Sequence, residues 1–164
     1  MRATMLQSGL LAVVALTGQI CRADEAAVAQ VLDALHERAS EADFAGYFEL
    51  YHERAVFLGT DREEYWPLEA FKAYARPHFE AGRGWSYRPT ERFIHVAGDT
   101  AWFEERLQHV TYGETRGTGV LLRTDAGWRV AQYNLTLPIP NALFRDIAGD
   151  IAEHYAGDRG PRDR

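Results

Sequence analysis

Cysteine and lysine are nearly absent from this chain. Cys21 is the only cysteine in 164 residues, which excludes an internal disulfide and any cysteine metal site. Lys72 is the only lysine among 18 basic residues, an arginine bias that fits a GC-rich bacterial genome. The six histidines, His36, His52, His78, His95, His109 and His154, form no His-x-His or His-x-x-x-His pair, so no metal and no cofactor are expected. A phosphate-binding glycine loop, a nucleophile elbow and a serine in a triad context are missing as well. There is no internal repeat, no low-complexity tract, and no apolar run of the roughly 20 residues that a membrane span needs.

What is present is a globular composition, 46% hydrophobic and 12% aromatic, enough for one domain with a real core. Residues 1–23 have the layout of an export signal: Arg2, the apolar stretch Leu6–Gly18, and the small-residue ending Cys21-Arg22-Ala23. The expected mature chain starts at Asp24 and is periplasmic or extracellular, with an uncleaved anchor as the alternative. Loss of Arg2 and Arg22 leaves 16 basic against 24 acidic residues, a formal net charge of −8. That balance disfavours nucleic acid as a partner, and no membrane association is expected once the signal is removed. The chain divides into 1–23 (signal), 24–150 (domain) and 151–164 (helix end and loose tail).

Apolar residues at Val28, Val31, Leu32, Leu35 and Ala39 form one helical stripe between Asp24 and Asp43. Asp43 is placed to cap a second, short helix carrying Phe44, Tyr47, Phe48 and Tyr51. Ala55–Leu58 reads as a strand halted by Gly59. Pro67 suits the first turn of a third helix running to about Phe79, which buries Leu68, Phe71, Tyr74 and Ala75 and is kinked or closed by Pro77. From Trp85 to Leu137 the pattern is four long strands, followed by the breaker Pro138-Ile139-Pro140-Asn141 and a final helix, Asn141–Tyr155.

Turn chemistry sets an expected register. A two-residue turn at Gly98-Asp99 opposes Ala97 to Thr100, His95 to Trp102, Phe93 to Glu104 and Glu91 to Arg106. A second at Gly113-Glu114 would oppose Arg106 to Leu121 and Glu104 to Arg123. A three-residue loop, Asp125-Ala126-Gly127, would add Tyr133 and Leu135 to the face holding Tyr87, Glu91, Phe93, His95, Trp102, Glu104, Arg106, Leu121 and Arg123. The opposite face would hold Ile94, Val96, Phe103, Leu107, Val120, Leu122, Trp128 and Val130. Helices are expected over the first, pocket-like face, and a second subunit, or else the C-terminal helix, over the other.

Candidate ligand contacts are then Phe93, Trp102, Arg106, Leu121, Arg123 and Leu135. Candidate catalytic groups are Asp61, Glu104 and Tyr133. Glu104 is either a general base or part of a charge network that shapes the cavity; Asp61 is either a base at the cavity mouth or the cap of its own turn. Tyr133 is either an oxyanion donor or a core tyrosine with a satisfied hydroxyl.

Phe57-Leu58-Gly59-Thr60-Asp61, Tyr112-Gly113-Glu114-Thr115-Arg116-Gly117-Thr118-Gly119, Gly127-Trp128-Arg129-Val130 and Gln132-Tyr133-Asn134-Leu135-Thr136-Leu137-Pro138-Ile139-Pro140-Asn141 together carry a resemblance. With the helix-first order, they resemble the SnoaL-like branch of the nuclear transport factor 2-like superfamily, over about residues 26–150. Ketosteroid isomerase and scytalone dehydratase are distant relatives. The resemblance implies an α+β cone, N-terminal helices on a curved antiparallel sheet enclosing a pocket, commonly dimeric through the open sheet face. It leaves three functions open: small-molecule binding, isomerase or lyase chemistry with a pocket carboxylate as base, and protein interaction through the sheet.

Overall fold

The computed structural model describes the backbone of residues 8–157 and the side chains of 22–156. The side chains of residues 1–21, which carry the export-signal reading, and the expected tail Asp158–Arg164 lie outside the described residues. Among the described residues, no helix is long and apolar enough to cross a membrane.

Helix α1 (Ser8–Ser40) is followed by the short α2 (Phe44–Glu49). The stripe of α1 is buried as its spacing demands, with Val28 and Leu32 fully covered and Leu35 and Ala39 nearly so. Ala42 turns the chain with a positive φ of 57°. Asp43 then caps α2, its carboxylate accepting from the Gly46 amide at 3.0 Å. Phe44, Tyr47 and Phe48 of α2 pack with Tyr51, Phe71, Phe79 and Trp85 in an aromatic cluster. These rings are the core of the helical half.

Strand β1 (Tyr51–Leu58) starts four residues earlier than the apolar run suggests. A short strand β2 (Tyr65–Pro67), which the sequence did not signal, pairs with its end. Pro67 caps α3 (Leu68–Glu80), and the helix runs three residues past Pro77 rather than closing there. Pro77 is exposed, so water can take the backbone carbonyl that the proline leaves without an amide partner. The meander follows as expected: β3 (Arg88–Ala97), β4 (Thr100–His109), β5 (Gly113–Thr124) and β6 (Gly127–Thr136), then α4 (Phe144–Gly157).

The sheet order is β2-β1-β6-β5-β4-β3, with β1 parallel to β6 and every other pair antiparallel. The β3–β4 register is the expected one, including Glu91 opposite Arg106 and Phe93 opposite Glu104. Beyond it two expectations fail. The β4–β5 turn is Val110-Thr111-Tyr112, with Gly113 paired to His109 and carrying φ of 70°. Arg106 therefore faces Arg116, not Leu121, and Glu104 faces Thr118, not Arg123. This five-residue displacement is odd and exchanges the faces of β5.

The last hairpin closes with Thr124 opposite Gly127, so its loop is two residues, and an irregularity follows Val120 where Ala131 is extra on β6. That bulge lets Trp128, Val130, Tyr133 and Leu135 all share one face. The covered face is thus Arg92, Ile94 and Val96 of β3, Phe103, Glu105 and Leu107 of β4, Thr115 and Leu121 of β5, and those four of β6. Helices α1 and α3 lie over it, which corrects the expectation that they would cover Phe93, Trp102 and Glu104. Nor does α4 cover the other face: Phe93 and Trp102 stay 51% and 46% exposed, as do Phe144 and Ile151 of α4 at 60% and 47%.

Candidate functional site

Between the helices and the covered sheet face lies a cavity of about 430 Å³, within the usual range for small-molecule sites. Its walls are mainly aromatic. Phe57, Trp66, Phe71 and Tyr133 present rings in nearly one orientation: the Phe57 plane lies 3° from Tyr133, 14° from Phe71 and 17° from Trp66. Tyr74, Tyr87 and Tyr112 stand among the lining residues, with Tyr112 64% exposed at the β4–β5 turn. Leu35, Ala39, Leu135 and Leu137 complete the apolar lining.

One polar cluster backs this wall. Glu105 of β4 is fully buried. Its Oε1 accepts from His36 Nε2 at 2.7 Å and from the Tyr133 hydroxyl at 2.8 Å, and its Oε2 accepts from Arg92 Nε at 2.8 Å. Arg92 also reaches Asp33 at 2.7 Å and the Ala29 carbonyl on α1. The elements explain the convergence: His36 is one position from the buried stripe of α1, Arg92 opposes Glu105 across β3–β4, and Tyr133 opposes Gly119 across β5–β6. Gly117 completes it, because a Cβ there would strike the Tyr133 hydroxyl and crowd the Glu105 Cγ.

Burial works to raise the Glu105 pKa, but the His36 hydrogen bond and the charges of His36 and Arg92, with the Tyr133 bond, outweigh it and hold the carboxyl below its ordinary range. Glu105 is therefore an anion and acts only as an acceptor. It fixes His36 with Nε2 as the donor, which makes Nδ1 the acceptor of the ring. Burial pushes the Tyr133 phenol well above its ordinary value, and the Glu105 charge adds to this. Tyr133 therefore holds its proton and donates a hydrogen bond to Glu105. Tyr47, also in the wall, is pushed up to about 12, chiefly by burial. Among the described residues no group of three or more His, Cys, Asp or Glu converges in a way that could hold a metal ion.

Of the residues singled out in the sequence, Tyr133 and Leu135 line the cavity. Phe93, Trp102, Glu104 and Arg106 lie instead on the open face, where Glu104 pairs with Arg116 at 3.2 Å and Arg106 with Glu91 at 3.0 Å. Half-exposed charges there keep their hydration, which the apolar cavity would remove. Leu121 is core, fully buried. Arg123 bridges Asp24 at 2.6 Å and Asp99 at 3.3 Å and stacks over Trp128, at the far end of β5. Asp61 caps its own turn by accepting from the Glu63 amide at 2.9 Å and takes the Tyr155 hydroxyl at 2.9 Å. These bonds, the backbone one first, hold its carboxyl below the ordinary range.

His36, Arg92 and Glu105 were missed. The signal was there: Glu105 sits between Phe103 and Leu107 on an otherwise apolar alternation, and the correctly read β3–β4 register already places Arg92 opposite it.

A cone of helices on a six-stranded mixed sheet, closed around an aromatic pocket, defines an α+β protein of the nuclear transport factor 2-like fold. Residues 28–140 match the SnoaL-like domain family, and the chain belongs to it. Solved structures agree on the fold. A nuclear transport factor 2-like protein of unknown function from Pseudomonas putida has a TM-score of 0.62 at 16% identity, covering 73% of this chain and 90% of its own. A putative dehydratase of the same fold from Streptomyces avermitilis gives 0.64 at 15%, covering 73% and 99%. A putative ketosteroid isomerase from Parabacteroides distasonis gives 0.54 at 16%, covering 66% and 86%. A search of curated proteins found no match to the chain.

Proposed function

We propose that this domain binds a small organic molecule in the cavity and that His36 exchanges a proton or hydrogen bond with it. The observation that carries this reading is the 2.7 Å contact of His36 Nε2 with the buried Glu105, made by a ring that also lines the cavity. A carboxylate behind an imidazole fixes its tautomer and stabilises its protonated form, the arrangement used for general acid–base work. The isomerase or lyase alternative accordingly shifts its base from Glu104 or Asp61 to His36. Proton transfer next to a carbonyl, or loss of water, is the reaction class such a base serves in an apolar pocket. The test is nitrogen NMR of the His36 ring, assigned with His36→Gln, while 2-naphthol is titrated and binding is followed by tryptophan fluorescence. Movement of the His36 Nδ1 signal with binding is expected; tight binding with that signal unmoved would overturn the role of His36.

A second reading concerns the open sheet face. Phe93 and Trp102 expose about half of their surface beside Val120 and Leu122, and apolar area of this kind marks a contact surface. We infer that a second copy of the chain covers it. Sedimentation equilibrium should give a dimer that Trp102→Glu dissociates, and a monomer at all concentrations would sink this reading.

A further inference from the structure

One polar group of the cavity lining is buried without a partner. Thr115, on β5, lines the cavity, is 2% exposed, and its hydroxyl has no hydrogen-bond partner among the described residues. Leaving a hydroxyl buried and unpaired costs stability, whereas an apolar side chain of the same shape would not. The lining also contains no arginine and no lysine, and its one carboxylate, Glu64, accepts from the Asp61 amide. An anionic ligand would lose its hydration there with no arginine or lysine to replace it, and His36 already gives its Nε2 hydrogen to Glu105. The near-parallel rings of Phe57, Trp66, Phe71 and Tyr133 favour a flat guest that extends their offset stacking.

We propose that Thr115 is the recognition group of this pocket, and that its hydroxyl binds an oxygen or nitrogen of a flat, uncharged, unsaturated-ring ligand. This rests on the pocket reading above, and it moves polar recognition from Arg106 and Arg123, which lie outside the cavity lining, to Thr115. The hydroxyl is then a specificity determinant whose cost to the empty protein is recovered when the ligand is bound.

Three probes and two variants test it on the full chain. 2-Naphthol is flat and neutral, decahydro-2-naphthol has the same heavy atoms but no π faces, and 2-naphthoate is flat and anionic. Calorimetry should rank 2-naphthol tightest, by about tenfold over either alternative. Thr115→Val should weaken 2-naphthol about tenfold while raising the unliganded Tm by about 2–4 °C, and Thr115→Ser should restore binding. A Thr115→Val variant that binds 2-naphthol like the wild type, or that melts lower without ligand, overturns the assignment of Thr115. Equal affinity for 2-naphthoate or decahydro-2-naphthol overturns the ligand class, as does failure to bind any probe. The pocket reading survives each of the first three outcomes as long as the His36 ring signal responds to bound probe; an unresponsive ring with Thr115 selectivity intact sinks the role of His36 alone.

Discussion

Glu104 and Glu105 are neighbours on one strand and meet opposite fates. Glu104 points to the open face, its side chain 45% exposed and paired to an equally exposed Arg116. Glu105 points under the helices, fully buried, with three donors on its two oxygens. The open face places its charges in cross-strand pairs that water already solvates, so each pair adds little. The covered face holds a single carboxylate in an apolar setting, which is tolerable only because His36, Arg92 and Tyr133 all converge on it. The chemistry of a strand therefore depends less on which residue types it carries than on which side of the pleat each occupies.

The sharpest break of this comparison is to truncate both acids. Glu105→Ala leaves Arg92 and His36 facing a buried gap, and the expected loss is about 3–5 kcal/mol, the scale for removing one partner of a buried ion pair. Glu104→Ala should cost about 0–1 kcal/mol, the scale for an exposed pair. Urea unfolding of the two variants measures both, and losses of similar size would show that the two faces are not energetically distinct.

The same parity governs how much could be read in advance. Helix α1, the aromatic α2 and the four strands of the meander were legible, because period-3.6 and period-2 apolar patterns are local and strong. The β3–β4 register was legible too, since Gly98 takes a positive φ of 60° in a two-residue turn. Which face the helices cover was not. Phe93 and Trp102 on one side and Ile94 and Phe103 on the other are equally apolar, and the choice is made by tertiary packing. Gly117 and Gly119 tilt it: a Cβ at Gly117 would strike Tyr133, and one at Gly119 would strike Phe103 and the Gln132 carbonyl. These bare positions make room on the covered side. The turn at Val110-Thr111-Tyr112 was misplaced because Gly113 follows the turn rather than forming it. The extra residue Ala131 was invisible, since a bulge changes pairing without changing composition. The turn error reversed parity between β4 and β5 and so grouped Glu104 with Leu121 and Tyr133, whereas the acid that backs the pocket wall is its neighbour Glu105.

Acid titration gives a smaller effect that separates the two faces without deleting a side chain. The folded-state pKa of Glu105 is lowered, so its network contributes stability above the ordinary glutamate range, about 4.3, and loses it as pH falls through the depressed folded value. Protonation removes the charge that faces Arg92 while the guanidinium keeps its own. The melting temperature of the wild type should therefore fall from about pH 4 downward more steeply than that of Glu105→Gln, which carries no proton to gain at this site. Glu104→Gln should track the wild type through the same range, because water screens the half-exposed Glu104–Arg116 pair. If Glu105→Gln instead follows the wild-type acid limb, the limb belongs to other carboxylates and the buried network is not what separates the faces. If Glu104→Gln flattens it, the open face is covered in solution and its charges are dehydrated there, as a second copy of the chain over Phe93 and Trp102 would require.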